Sequence, residues 1–122
     1  MSGIKKRGMA LLIGMLAVGA TYAHHSSSAF DREHPVAMTG TVKQFVWANP
    51  HTWLYMEVPN KKGGSDEWVL EGPPLGMLVR KGWNGKFLKP GDKLRLTVAL
   101  YKDGTKRGEF TTVRDAATGK EL

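Results

Sequence analysis

From Val36 onward, apolar and polar positions alternate in short runs separated by turn residues, the signature of half-buried β-strands. Met38–Trp47 (MTGTVKQFVW) is the first run, with Gly40 where a bulge or a close backbone approach fits. Asn49-Pro50 interrupts it. Thr52–Val58 (TWLYMEV) alternates cleanly, with Leu54, Met56 and Val58 on one face and Trp53, Tyr55 and Glu57 on the other. Pro59–Ser65 (PNKKGGS) predicts a hairpin loop, and Glu67–Glu71 a third strand stopped by Gly72-Pro73-Pro74. A helix starts at Pro73 or Pro74, where proline's missing N–H is not needed. Leu75, Leu78 and Val79 recur at helical spacing and Gly82 is a natural stop, giving roughly two turns. Gly76 weakens this helix by about 1 kcal/mol relative to alanine.

The segment Leu88-Lys89-Pro90-Gly91-Asp92 places Pro and Gly where a type II turn prefers them. It launches Lys93–Tyr101 (KLRLTVALY), with Leu94, Leu96, Val98 and Leu100 on one face and Lys93, Arg95 and Thr97 on the other. Lys102-Asp103-Gly104 turns the chain into Glu109–Arg114, and a last short pairing is expected after Thr118-Gly119. The order β-β-β-α-β-β predicts a mainly β fold: a small five-stranded OB-like barrel with one short helix between strands 3 and 4. A short-stranded sandwich gives similar alternation, but the helix in that slot favours the barrel.

The N-terminal pattern is different. Met1–Ala23 has the three parts of a secretory signal peptide. Lys5, Lys6 and Arg7 precede an uncharged apolar run, Met9–Ala20, and Thr21-Tyr22-Ala23 puts small residues at −3 and −1. The apolar run is shorter than the roughly 20 residues a spanning helix needs, so cleavage is favoured over a membrane anchor. Val18-Gly19-Ala20 offers a second cleavage site. The expected organisation is therefore a signal peptide over 1–23, a polar His-containing arm over 24–35 and the barrel over 36–122. The arm's one large apolar residue, Phe30, is where it would dock. Export implies the periplasm, with membrane contact only through the signal peptide before cleavage.

Charge and composition narrow the picture further. The chain carries +7, but removing three of its eighteen basic residues with the signal leaves fifteen against eleven acidic ones, a balance of +4. Much of the basicity belongs to the address, and the compartment argues against nucleic acid as partner. With no cysteine there is neither disulfide nor thiolate chemistry, so any metal takes N and O ligands.

Four histidines remain: His24, His25, His34 and His51. Cleavage after Ala23 would make His24 the N-terminus, and its α-amine and Nδ1 could then chelate one metal in a compact ring. His25 or His51 could complete the set. Cu(II) heads the affinity order for such nitrogen donors, so copper is the expected occupant and Zn(II) the second. His51 lies in the loop joining the first two strands, which in OB-folds flanks the binding surface together with the loop between strands 4 and 5. That second loop, Lys102–Gly108 (KDGTKRG), is polar and basic. Trp53, Tyr55 and Trp68 are candidates for an exposed aromatic strip beside His51. Trp47 and Trp83 are assigned to the core or its rim, and His34 to a solvated loop. The bland counterparts are a soluble cleavage start for His24-His25, a hydrogen-bonding role for His51, and ordinary packing for the aromatic strip.

No nucleophile elbow, H-E-x-x-H or phosphate-cradling glycine loop occurs, so no enzyme is expected. The ordered set A-H-H-S at 23–26, F-D at 30–31, G-T-V at 40–42, N-P-H at 49–51, W-x-L-E-G at 68–72, R-x-G-W at 80–83 and L-x-P-G-D at 88–92 resembles a family of small exported proteobacterial proteins known only as a domain of unknown function. The resemblance spans nearly the whole mature chain and implies export and a β-barrel-like domain, but no activity. Its paired histidines and N-P-H turn correspond to His24, His25 and His51. Ser27-Ser28-Ala29 departs from the aromatic that often follows His-His-Ser there. Three functions follow: a periplasmic copper-binding protein, a non-catalytic OB-type module that binds an envelope protein or glycan through the aromatic face, or a purely structural envelope protein.

Overall fold

In the strands Val36–Val46 (β1), His51–Pro59 (β2), Ser65–Pro74 (β3), Lys93–Leu100 (β4) and Arg107–Asp115 (β5), side chains alternate between a common interior and the surface. These elements and the short helix Leu75–Arg80 (α1) come from a computed structural model that describes residues 29–122. The segment 1–28, with the expected signal peptide, His24 and His25, lies outside the described residues.

The strands close into a barrel in the order β1-β2-β3-β5-β4, with α1 between β3 and β4. This is the OB-like arrangement that the element order predicts. Closure depends on one parallel pairing, Val69–Glu71 of β3 against Arg107–Glu109 of β5, and all other neighbours are antiparallel. Joining β3 to β5 leaves no long open edge. The interior is filled by Leu54 and Met56 from β2, Leu70 from β3, Leu94, Leu96 and Val98 from β4, and Phe110 from β5. These are the apolar faces that alternation assigns to the interior in β2 and β4.

Local chemistry accounts for the connections. Gly91 has a φ of +93° and Asp92 N–H donates to the Lys89 carbonyl at 3.1 Å, as a type II turn with Pro90 at its second position requires. At the C-terminal end of α1, Gly82 N–H donates to the Val79 carbonyl and Trp83 N–H to that of Leu78. These are the two bonds of a Schellman motif, with Gly82 at φ +87° and its apolar partners Leu78 and Trp83 both buried. The Leu75 N–H, one of the orphan donors of the helix start, is satisfied by the Pro50 carbonyl. The tail returns as expected, with Glu121 bridging Arg114 and Leu122 N–H on the Val113 carbonyl.

Three local expectations change. Gly72-Pro73-Pro74 does not stop β3, which runs on until Pro74 pairs with His51. A proline's fixed φ suits extended backbone wherever no ladder N–H is needed. The helix is shorter than two full turns, and Val79 faces solvent while Leu78 alone of its side chains is buried. Gly40 marks a close approach and not a bulge: a Cβ there would lie 2.6 Å from the Glu57 carbonyl oxygen, and the β1 irregularity falls between Val42 and Gln44.

Phe30 does dock. It is buried edge-on against Tyr101, with ring centroids 4.7 Å apart, while Asp31 N–H donates to the Leu100 carbonyl and Lys102 N–H to that of Ala29.

Several surface turns are held by carboxylates that accept hydrogen bonds. A side-chain bond from His34 lowers the Asp31 carboxyl, and bonds from Lys106 and Thr105 lower Asp66 and Asp103. Backbone donation from Thr118 does the same for Asp115. Each folded value lies below the unfolded one, so the stability they add is present above the unfolded carboxylate range and lost as pH falls through the folded values. We expect Tm to hold above about pH 5 and to fall below about pH 4. A thermal melt series that is flat between those limits and pH 3 would contradict this.

Candidate functional site

Alternation along β2 puts His51, Trp53 and Tyr55 on the outer face, since Thr52, Leu54 and Met56 point inward and are fully buried. Trp68 does not join them. It sits opposite Met56 across β2–β3, on the inward face, and packs against the core. The residues that do accompany Trp53 and Tyr55 on β3 are their cross-strand partners Glu71 and Val69. Trp83 is buried and Trp47 packs against the core, as assigned. His34 is exposed, with its Nδ1 3.1 Å from the Asp31 carboxylate.

His51 is held by a local irregularity. Between the pairs His51–Pro74 and Trp53–Glu71, β3 spends one residue more than β2, a bulge at Gly72-Pro73. The Gly72 carbonyl then lies 2.9 Å from His51 Nδ1. A carbonyl only accepts, so Nδ1 is the protonated nitrogen and donates, leaving the Nε2 lone pair free in the neutral ring. The Glu71 carboxylate stands 3.6 Å from the same Nδ1.

Beside the histidine lies a cleft of about 370 Å³ whose lining includes Arg32, His51, Pro73, Met77, Glu109 and Phe110. Arg32 reaches it from the docked arm. Its Nε donates to Glu109 Oε1 at 3.0 Å and its Nη2 to Oε2 at 2.8 Å, a two-pronged bond that holds the guanidinium more firmly charged. The parallel β3–β5 pairing sets Glu109 directly opposite Glu71. Arg32, Glu109, Glu71 and His51 thus follow one another across the surface, a basic group at one end, an imidazole at the other and two carboxylates between.

His51 and Glu71 are on different sequence segments; His51 carries a sequence signal through N-P-H and its loop, and Glu71 only as part of the W-x-L-E-G motif, where nothing marks it as a site residue. Arg32 and Glu109 look like ordinary solvated positions in an arm or on a strand exterior. Among the described residues no three His, Asp or Glu side chains gather closely enough to hold a metal. His51 and Glu71 would therefore need donors from elsewhere, and His24 and His25 lie outside the described residues.

A family described as "Family of unknown function (DUF6152)" matches residues 13–110. The chain belongs to that family. No curated protein matches it, and no solved structure does. The DUF6152 match reaches from the N-terminal apolar run through Phe30, Arg32, His51 and Glu71 to Glu109 and Phe110, so every lining residue of the cleft but Thr111 falls within the shared region.

Removing the guanidinium should loosen the arm without unfolding the barrel. For Arg32→Ala we expect faster amide exchange at Asp31 and Lys102, whose N–H groups bond across the arm, with a stability loss of about 1 kcal/mol or less. Unchanged exchange at both amides would show that Phe30 alone holds the arm.

Proposed function

We propose that the protein is exported, cleaved after Ala23, and binds a metal ion, copper foremost, through His24 and His25 with His51 completing the set. The observation that carries this reading is the state of His51: Nδ1–H is committed to the Gly72 carbonyl with Glu71 behind it, so Nε2 keeps its lone pair. Metal-binding histidines are ordinarily oriented in this way, by donating the other ring nitrogen to a carbonyl or carboxylate. The docked arm supports it too. Only four residues separate His24 from Ala29, an extended reach of about 18 Å or less, and Arg32 of the same arm lines the cleft with His51. Amine and imidazole donors suit Cu(II), and their protonation weakens binding as pH falls.

The test is calorimetric titration of Cu(II) into protein with its native N-terminus. One tight ion per chain is expected. An extra residue before His24 should weaken binding by about 100-fold or more, and His51→Ala by about 10-fold or more. Equal affinity with and without the extra residue would eliminate the N-terminal chelate.

A second reading rests on Trp53 and Tyr55, which stand in line with His51 on the outer face of β2 and are only partly buried. There the barrel would hold an envelope protein or glycan. Trp53→Ala should then abolish capture of that partner while leaving Tm nearly unchanged.

A further inference from the structure

Outward positions of β4 and β5 meet in pairs. Arg95 lies directly opposite Arg114, and Thr97 directly opposite Thr112. Like charges placed directly across an antiparallel pair repel, so this arrangement works against folding. The neighbouring strand does nothing to relieve it. The outward residues of β1 beside Thr97, Arg95 and Lys93 are Ala37, Thr39 and Thr41, all small and none acidic. Short side chains on β1 next to long basic ones on β4 leave a hollow of about 340 Å³, lined by Ala37, Arg95, Leu96, Thr97, Thr112 and Arg114. It shares no lining residue with the His51 cleft.

The donors in this hollow are arranged for an anion. Among the described residues Arg95 has no ion-pair partner. Arg114 is steadied from behind, its Nη1 on the Gly119 carbonyl at 3.1 Å and its Nη2 on Glu121 Oε2 at 3.2 Å. Glu121 offsets part of the Arg114 charge, so Arg95 supplies the main attraction and Arg114 an oriented fork. The Thr97 and Thr112 hydroxyls bond each other at 2.7 Å, which uses one of their two hydrogens and leaves the other to donate. The Thr111 hydroxyl sits on the Thr97 carbonyl, at the bulge where β5 carries an extra residue, and takes no part.

We propose that this hollow is a binding site for a phosphate group, held between the guanidinium groups of Arg95 and Arg114 with the Thr97–Thr112 hydroxyl pair as a third donor. A carboxylate has two oxygens and is satisfied by one guanidinium fork. A phosphate offers more acceptor oxygens in a tetrahedral array and takes donors from two arginines and a hydroxyl together. Binding neutralises the repulsion between the two arginines, which gives the anion a stabilising effect on the barrel itself. The phosphate can belong to a small phosphate ester or to a lipid headgroup.

Two probes distinguish the sources: inorganic phosphate followed by amide shifts, and sedimentation with vesicles of phosphatidylglycerol in phosphatidylcholine. The variants are Arg95→Gln and, as a control of equal charge on an exposed turn, Lys102→Gln. Saturable shifts at Arg95, Thr97 and Thr112 with inorganic phosphate, lost about 10-fold or more in Arg95→Gln and kept in Lys102→Gln, establish the site for free phosphate. The same variant pattern with vesicles alone assigns it to a headgroup. Arg95→Gln should meanwhile raise Tm or leave it unchanged, since the opposed charges are gone, which separates lost binding from lost folding. Absence of binding in both arms, or equal losses in Arg95→Gln and Lys102→Gln, would overturn the proposal. Neither result bears on copper, whose donors lie elsewhere.

Discussion

Replacing Phe110 with alanine is expected to destabilise the barrel by about 3–5 kcal/mol, the range for deleting a buried aromatic ring. The ring is among the largest fully buried side chains, 1% exposed, and faces Val98 across β4–β5. It also lines two hollows. One is the His51 cleft, and the other a pocket of about 60 Å³ beneath α1 with Trp83, Leu78 and Leu122 in its wall. Both have Phe110 as a lining residue. Taking the ring away enlarges both, and the cage of β-strands has little room to collapse into the gap. Domains of this size have total stabilities of about 5–15 kcal/mol, so roughly a fifth or more of the margin would be lost. The expected signature is a fall in Tm of about 12 °C or more with a lower denaturant midpoint. A change of only a few degrees would mean that the strands close over the gap.

Gly72→Ala should produce the second largest effect, and for a reason of space alone. Gly72 is not among the glycines with positive φ, so its backbone suits any residue. An added Cβ, however, would overlap Thr52 Oγ1 and come within 2.8 Å of Phe110 Cζ. Thr52 is fully buried, so its side chain has no open space to move into, and its hydroxyl has no hydrogen-bond partner among the described residues. The strand must shift at the bulge that presents the Gly72 carbonyl to His51. Overpacking of this kind costs about 1–3 kcal/mol and sometimes more. Here it should also release His51 Nδ1, so ring-nitrogen shifts in NMR would report loss of the fixed tautomer. The double variant Gly72→Ala/Thr52→Ala removes one of the two overlaps and the unpaired hydroxyl together. We expect it to recover about 1 kcal/mol of the loss, a coupling that a double-mutant cycle measures directly. Strict additivity would place the strain elsewhere than at the Thr52 contact.

These two predictions meet at the same point, because the His51 cleft is built from core geometry. His51 owes its tautomer to a glycine carbonyl, the glycine owes its place to the absence of a side chain between Thr52 and Phe110, and Phe110 forms the floor. Disturbing the core therefore changes the site even where no site residue is altered.

Chain order and local chemistry made much of the barrel legible. Strict alternation in Thr52–Val58 and Lys93–Tyr101 assigned the interior faces of β2 and β4, because a strand's side chains have a period of two whatever surrounds it. Pro90-Gly91 and Gly82 announced their turns through backbone preferences that belong to those residues alone. Phe30 stood out as the single large apolar group of a polar arm, and it docks. The tertiary structure alone decided the rest. Trp68 belongs to the interior because of its register opposite Met56, which three consecutive apolar residues between two glutamates do not specify. Glu71, Glu109 and Arg32 become neighbours only through the parallel β3–β5 pairing and the folded arm, contacts between segments dozens of residues apart. Arg95 meets Arg114 through the register of the antiparallel β4–β5 pair. Periodicity is a property of neighbouring residues and survives in the sequence, whereas register between distant strands is set by how one common interior is filled.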